Sequence, residues 1–185
     1  METKCDLTQD FIKNLTAVKG EYAEDFSTFL DSIESGNILV ESQEKTPKTV
    51  LEVLKTKNFE ILFADELFQT DSYKNVVFNN TVLGITFPFL AIADTGTVIE
   101  STECNRMRSI SLLPSVHLSV ITEDKIVKNM AEAINLIQKH FTDEKNQLQL
   151  PGVLTFITGP SRTADIEQTL TVGVHGPIRK AVHIL

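Results

Sequence analysis

Cysteine is scarce in this sequence: there are 2 in 185 residues. Cys5 and Cys104 lie far apart, with no C-x-x-C. That excludes a disulfide framework and suits a reducing cytosol. It also excludes a self-contained iron–sulfur centre, which takes about four thiolates. Long apolar runs are missing as well. The longest, VLGITFPFLAIA (82–93), carries Thr86 and Pro88 and falls short of the ~20 residues of a spanning helix. No basic-then-apolar segment opens the chain. A cytoplasmic location is expected, with no membrane contact, and the sequons at Asn14 and Asn79 then go unglycosylated. Positive charge is in deficit, with 17 Lys and Arg against 25 Asp and Glu, a net charge of -8. This argues against nucleic-acid binding, which rests on neutralising phosphates. A local basic site could still be built from Arg106, Arg108, Arg162 and Arg179. The 4 histidines follow no metal-ligand spacing, so no metal is expected.

What is present is ordinary for a globular chain, with 42% hydrophobic and 23% charged residues. The length suits one domain, 1–185, with a helix-rich part (1–80) and a β-rich, motif-bearing part (81–185). The spacing predicts helix over 6–34, a strand at 38–42, a helix over 46–57 capped by Thr46, and a strand at 59–64. TVLGITF, LAIAD and TVIEST read as strands, the last two joined by a turn at Thr95-Gly96. SVHLSVIT (115–122) is a further strand, followed by a helix over 123–141 capped at Thr122. GVLTFI (152–157), a helix over 163–171 and a terminal strand KAVHIL (180–185) complete the chain. Helices alternating with short apolar strands point to a three-layer α/β/α domain with a mixed, mostly parallel sheet. The β-rich centre suggests an antiparallel excursion.

The stretch TGPSRTADIEQTLTVGVHGP (158–177) poses the chemical question. A strand, then Gly-Pro-Ser-Arg-Thr, then a helix would place free N–H groups at the carboxyl edge of a sheet. Such edges bind ligands, and helix N-termini favour anions. Gly159 allows close approach, Ser161 and Thr163 offer hydroxyls, and Arg162 offers a fork for phosphate or carboxylate. A capped helix after a tight turn explains the same residues without a ligand, and Asp165 and Glu167 would satisfy its dipole. The G-x-x-x-x-G-K-[ST] phosphate loop is absent. His175, between Gly173 and Gly176-Pro177, is either an acid–base group or a helix cap. His117 and His183 fall in apolar strands and His140 ends a helix. Asp94-Thr95-Gly96 matches the aspartic-protease triplet, but that chemistry needs two carboxylates and an all-β fold. It reads instead as a turn, and Thr95 and Thr97 would add hydroxyls if it faces the Gly159 loop. CNRMRSISLLPSVH (104–117) is a solvated turn, or it turns Arg106 or Arg108 into the same cleft.

Three segments, GIT....AIADTGT, RSISLLPSVHLSV and TGPSRTADIEQTLTVGVHGP, together resemble the LUD-domain family, the lactate-utilisation protein C group. The match runs in order from about residue 81 to the C-terminus. The resemblance implies the fold of sugar-phosphate isomerases, CoA transferases and formyltetrahydrofolate cyclo-ligases. It implies a role in oxidising L-lactate to pyruvate beside two iron–sulfur partner proteins, with no cofactor of the chain's own. The motif positions carried over are Thr95, Gly96, Thr97, Arg108, Ser111 to Pro114, Gly159 to Thr163, Asp165, Glu167 and His175 to Pro177. The chain departs from the family pattern at TFPFLA (86–91), where Phe87 and Phe89 would narrow the pocket. A small anionic or nucleotide-like ligand is expected where the loops carrying Thr95, Arg162 and His175 converge. Two alternatives stand beside this. One is a free-standing transferase or isomerase acting on an acyl-CoA or phosphorylated small molecule, with Glu100 as an acyl-accepting nucleophile. The other is a non-catalytic scaffold subunit.

Overall fold

The computed structural model describes residues 3–68, 80–102, 105–164, 170–173 and 175–185. Helix α1 (Lys4–Ala17) starts at a capping box, in which the Thr3 hydroxyl accepts from the Asp6 amide and the Asp6 carboxylate accepts from the Thr3 amide. It buries Phe11 and Leu15, four residues apart on one face. It stops at Val18 because Lys19 turns left-handed (φ 63) and Gly20 bonds back to Leu15. The long helix expected over 6–34 is therefore two helices, separated by β1 (Glu21–Tyr22) and resumed as α2 (Phe26–Asp31) behind an Asp25 cap.

Next come β2 (Asn37–Val40), α3 (Lys48–Thr56), β3 (Glu60–Phe63) and α4 (Ala64–Leu67). The cap expected from Thr46 does not form: its hydroxyl donates to the Ser42 carbonyl, and Pro47 stands at the helix start. Then follow β4 (Thr81–Thr86), β5 (Leu90–Ile92), β6 (Thr97–Thr102), α5 (Asn105–Leu112) and β7 (Val116–Ile121). The segment read as a turn over 104–117 is thus mostly helix. The helix expected from 123 begins later, as α6 (Met130–Phe141) under an Asn129 cap. Before it, Ile126 and Val127 form β8, because that β-branched pair extends a sheet beside β5. The chain ends with β9 (Val153–Ile157), β10 (Arg162–Ala164), β11 (Leu170–Val172) and β12 (Arg179–Ile184).

The helix expected over 163–171 is contradicted at both of its described ends. β10 and β11 pair antiparallel, with Arg162 opposite Val172 and Ala164 opposite Leu170. Residues 165–169, with Asp165 and Glu167, lie outside the described residues. The loop after Gly159 consequently leads into a hairpin, and the helix dipole invoked from the sequence is not part of it.

The central sheet has six strands in the order β1-β12-β7-β4-β2-β3, every neighbouring pair parallel. The antiparallel pairs of the sequence reading segregate into a second sheet, β8-β5-β6-β9. On the parallel sheet, Ile38, Val40, Leu83, Ile85, Leu118 and Ala181 point to one face and pack under α2 and α3. Ile121 and Val182 point to the other face and meet Phe11, Leu15 and Val98. α6 closes the outer side of the second sheet through Ala133 and Ile137 against Ile92 and Ile99. The architecture is three-layer α/β/α with a mostly parallel central sheet.

Candidate functional site

Strand alternation decides what lies between the two sheets. On β7, His117 and Ser119 are in phase with Ile121, and on β12, Lys180 is in phase with Val182. Parallel register puts Gly84, His117 and Lys180 side by side on three adjacent strands, with Thr86 beside Ser119. On β6, Glu100 shares the inward phase of Val98. Five polar side chains are thus driven into the interior: Thr86 (4% exposed), Glu100 (4%), His117 (0%), Ser119 (0%) and Lys180 (2%). Gly84 makes room for them to be covered. A Cβ there would stand 2.0 Å from the Ile110 carbonyl of α5, so only glycine lets the helix close over the strand.

Buried polar groups must satisfy one another, and these do. Thr86 Oγ1 donates to Glu100 Oε1 at 2.6 Å and lies 2.7 Å from His117 Nε2. His117 Nε2 is also 3.1 Å from Glu100 Oε1. Because Thr86 spends its proton on Glu100, His117 carries its proton on Nε2 and presents the Nδ1 lone pair to Lys180. Lys180 Nζ is 3.0 Å from that Nδ1 and also donates to Ser119 Oγ.

Burial sets the charges. Desolvation first, and then the neighbouring Lys180, push the His117 pKa down to about 4, so the imidazole is neutral near pH 7. The His117–Glu100 contact is then a hydrogen bond to a carboxylate and not an ion pair. Glu100 is held down at about 2: burial opposes its charge, and attraction and hydrogen bonds from His117, with help from Lys180 and Thr86, outweigh it. Burial lowers Lys180 to about 7, against the pull of Glu100.

Lys180 and His117 form the inner wall of a cleft of about 310 Å³. Ser111 and Leu112 from the end of α5, and Thr155 to Ile157 from β9, make its sides. Its rim is Thr158, Gly159, Ser161, Arg162, His175, Gly176 and Pro177. The rim loops are stitched together: Ser161 N donates to Pro177 O at 2.9 Å, and Gly173 N donates to Ser161 O at 3.0 Å. Gly159 sits at φ 73, where a Cβ would press on the Val18 carbonyl at 2.5 Å. Arg162 Nη2 donates to that same carbonyl. The end of α1 therefore buttresses the rim.

The cleft opens at the amino ends of β7 and β12. The sequence placed the loop that follows GVLTFI at the carboxyl edge of a sheet, and that loop does leave the carboxyl end of its strand. As β9, that segment is an edge strand of the second sheet. Gly159, Ser161, Arg162 and His175 do converge. Thr95, Gly96 and Thr97 do not line the cleft but are attached to it. The Thr95 hydroxyl donates to that of Thr97 at 2.7 Å, which lies 2.6 Å from the Thr158 hydroxyl on the rim. Gly96 (φ 63) turns β5 into β6 hard against the Leu15 backbone. Arg108 lies in α5, outside the cleft lining, and the Thr163 side chain is outside the described residues. Glu100 does not line the cleft; His117 stands between it and Lys180, which disfavours it as an acyl-accepting nucleophile. Arg179 is engaged elsewhere, forked onto both Glu21 oxygens at 2.8 Å. Phe87 packs in the core under α2 and α3, and Phe89 stacks near His140 and Phe141, so neither narrows the cleft.

Lys180, His117, Ser119 and Thr86 were not singled out in the sequence. The available signal was phase: a lysine in step with Val182 on a strand covered on both faces has no route to solvent. A larger cavity, about 570 Å³, is lined by Glu41, Glu44, Asp65 and Lys45 among others. Its acidic lining repels anions. Among the described residues, no helix is long and apolar enough to cross a membrane, and no group of three or more His, Cys, Asp and Glu side chains is placed to hold a metal ion.

Comparison with known proteins follows the same outline. A crystal structure of a DUF162 family protein from Deinococcus radiodurans superposes with a TM-score of 0.63 at 18% identity, covering 100% of this chain and 99% of that one. It shares the fold. Lactate utilization protein C of Bacillus subtilis (strain 168) is 40% identical over 103 residues, 56% of this chain and 41% of that protein. The protein of the same name from Bacillus licheniformis is 36% identical over 99 residues, 54% and 40% respectively. The chain spans less than half the length of these relatives. The LUD domain model matches residues 9–185. The chain belongs to the LUD domain family.

Proposed function

We propose that this protein serves in lactate utilisation as a ligand-binding subunit that holds a small carboxylate, such as lactate or pyruvate, in the cleft at the amino ends of β7 and β12. The observation that carries this is the convergence of Arg162, His175 and Lys180, with the hydroxyl-bearing Thr155, Thr158 and Ser161, on one cavity in an acidic protein. A guanidinium and ring of hydroxyls suit a carboxylate, and the partly closed setting strengthens each contact. The names of the relatives support the lactate assignment. Electron transfer falls to iron–sulfur partner proteins in this reading, since 2 cysteines cannot ligate a cluster unaided.

The test is thermal unfolding of the purified protein with L-lactate, pyruvate, phosphate and acetate, repeated on Arg162→Ala. A ligand that binds only the folded state raises the midpoint with concentration. Stabilisation by lactate or pyruvate that is lost in Arg162→Ala supports the reading. No stabilisation by any carboxylate, or unaltered stabilisation in the variant, overturns the site. Unimpaired growth on lactate after deletion of the gene overturns the pathway.

A further inference from the structure

We propose that Lys180 is a nucleophile that captures the carbonyl carbon of a 2-oxo acid as an imine in this cleft. The proposal rests on the reading of the cleft as a carboxylate site and names the ligand class: a carbonyl adjacent to a carboxylate.

A buried structural lysine is expected to lie directly against a carboxylate, which holds it as an ammonium. Lys180 is arranged otherwise. Its described partners are Ser119 Oγ and His117 Nδ1, both uncharged, and the carboxylate of Glu100 is reached only across the imidazole. Two hydrogen bonds and Cε occupy three of the four tetrahedral directions at Nζ. The fourth carries a proton in the ammonium and the lone pair in the amine. As an amine, Lys180 gives its two hydrogens to Ser119 and His117, and the lone pair is what remains for the cavity that Lys180 lines. Burial, by bringing this amine's pKa down to about 7, makes the neutral form available near neutral pH. Glu100 and Thr86 fix the Nε2–H tautomer of His117, so they act as positioning residues.

The step balances without a further reactant. The Nζ lone pair forms the N–C bond, the C=O π pair moves to oxygen, and one of the two amine hydrogens passes to that oxygen to give the carbinolamine. The carbinolamine then loses its hydroxyl and the remaining amine hydrogen as water, and the C=N bond forms. Arg162 and Ser161, on the rim, are the groups placed to hold the neighbouring carboxylate.

The experiment is incubation of the full chain with pyruvate and cyanoborohydride, followed by peptide mass mapping, alongside the thermal shift with pyruvate alone. L-lactate, which has no carbonyl, is the control. The expected result is a reduced pyruvate adduct on the peptide bearing Lys180, absent with lactate and lost in a folded Lys180→Arg protein. A thermal shift without adduct overturns the imine and leaves the carboxylate site standing. Neither shift nor adduct overturns both. Adducts spread evenly over surface lysines also overturn the imine, and this wild-type result needs no variant to fold.

Discussion

Replacing Lys180 with Met tests the electrostatics of the buried cluster. In an unfolded chain this amine titrates near 10.5, and in the folded protein at about 7. Between those values the unfolded chain holds a proton that the folded protein has released, so folding stability rises with pH across that window. Below pH 7 both states are charged and the lysine's contribution is flat, at its least favourable. The slope is about 1.4 kcal/mol per pH unit, and the whole window is worth roughly 5 kcal/mol. The titratable groups acting on Nζ are His117, in contact with it, and Glu100 behind the imidazole; Arg162 and His175 stand on the rim of the same cleft. All four remain in Lys180→Met; losing the lysine raises the His117 and Glu100 pKa values from about 4 and about 2, below the window, so the change in the gap across the window reports the lysine. The assay is urea unfolding by circular dichroism from about pH 6 to about pH 10 at fixed ionic strength. With an m-value of about 2 kcal/mol/M, the gap between the two midpoints should move in favour of the wild type by roughly 0.7 M of urea per pH unit above neutrality. Parallel midpoint curves would refute the reasoning, since Lys180 would then titrate alike in both states.

Gly84→Ala places a methyl 2.0 Å from the Ile110 carbonyl, so α5 must move; a loss of about 1–3 kcal/mol in urea unfolding is expected, and an unchanged midpoint contradicts the packing described. Gly159→Ala forces a side chain into a left-handed position against the Val18 carbonyl; the cleft should lose its carboxylate-induced thermal shift, and retention of the full shift counts against the rim geometry. Glu100→Gln removes the charge that raises the Lys180 pKa, so the pH midpoint of Lys180 in an ε-carbon NMR titration should fall further; a rise or no change contradicts the coupling through His117. Phe11→Ala empties a fully buried contact of α1 with the second sheet and should cost about 3–5 kcal/mol in the same unfolding assay.

The sequence revealed the elements whose cause is local. The hairpin between β5 and β6 was legible because Gly96 can take the left-handed turn that Asp94-Thr95-Gly96 advertises. The loops of Gly159 and His175 were legible as partners through their motif. What failed depended on strand pairing, within a segment or across the fold. The polar segment after Gly159 has a helical look by itself, and its strands form because β10 finds β11. Ile126 and Val127 left the expected helix to extend a sheet beside β5. Most consequentially, a lysine opening KAVHIL looks like a flank in solvent. It becomes the cleft wall only because β12 is buried on both faces, with His117 one strand away.

A crystal structure with pyruvate bound tests the central claim most directly. The account predicts the carboxylate in the cleft, within hydrogen-bond distance of Arg162 and Ser161, with its carbonyl carbon against Lys180 Nζ. Pyruvate seated away from Lys180, or an occupied cavity beside Glu41 and Asp65 while this cleft stays empty, would contradict it.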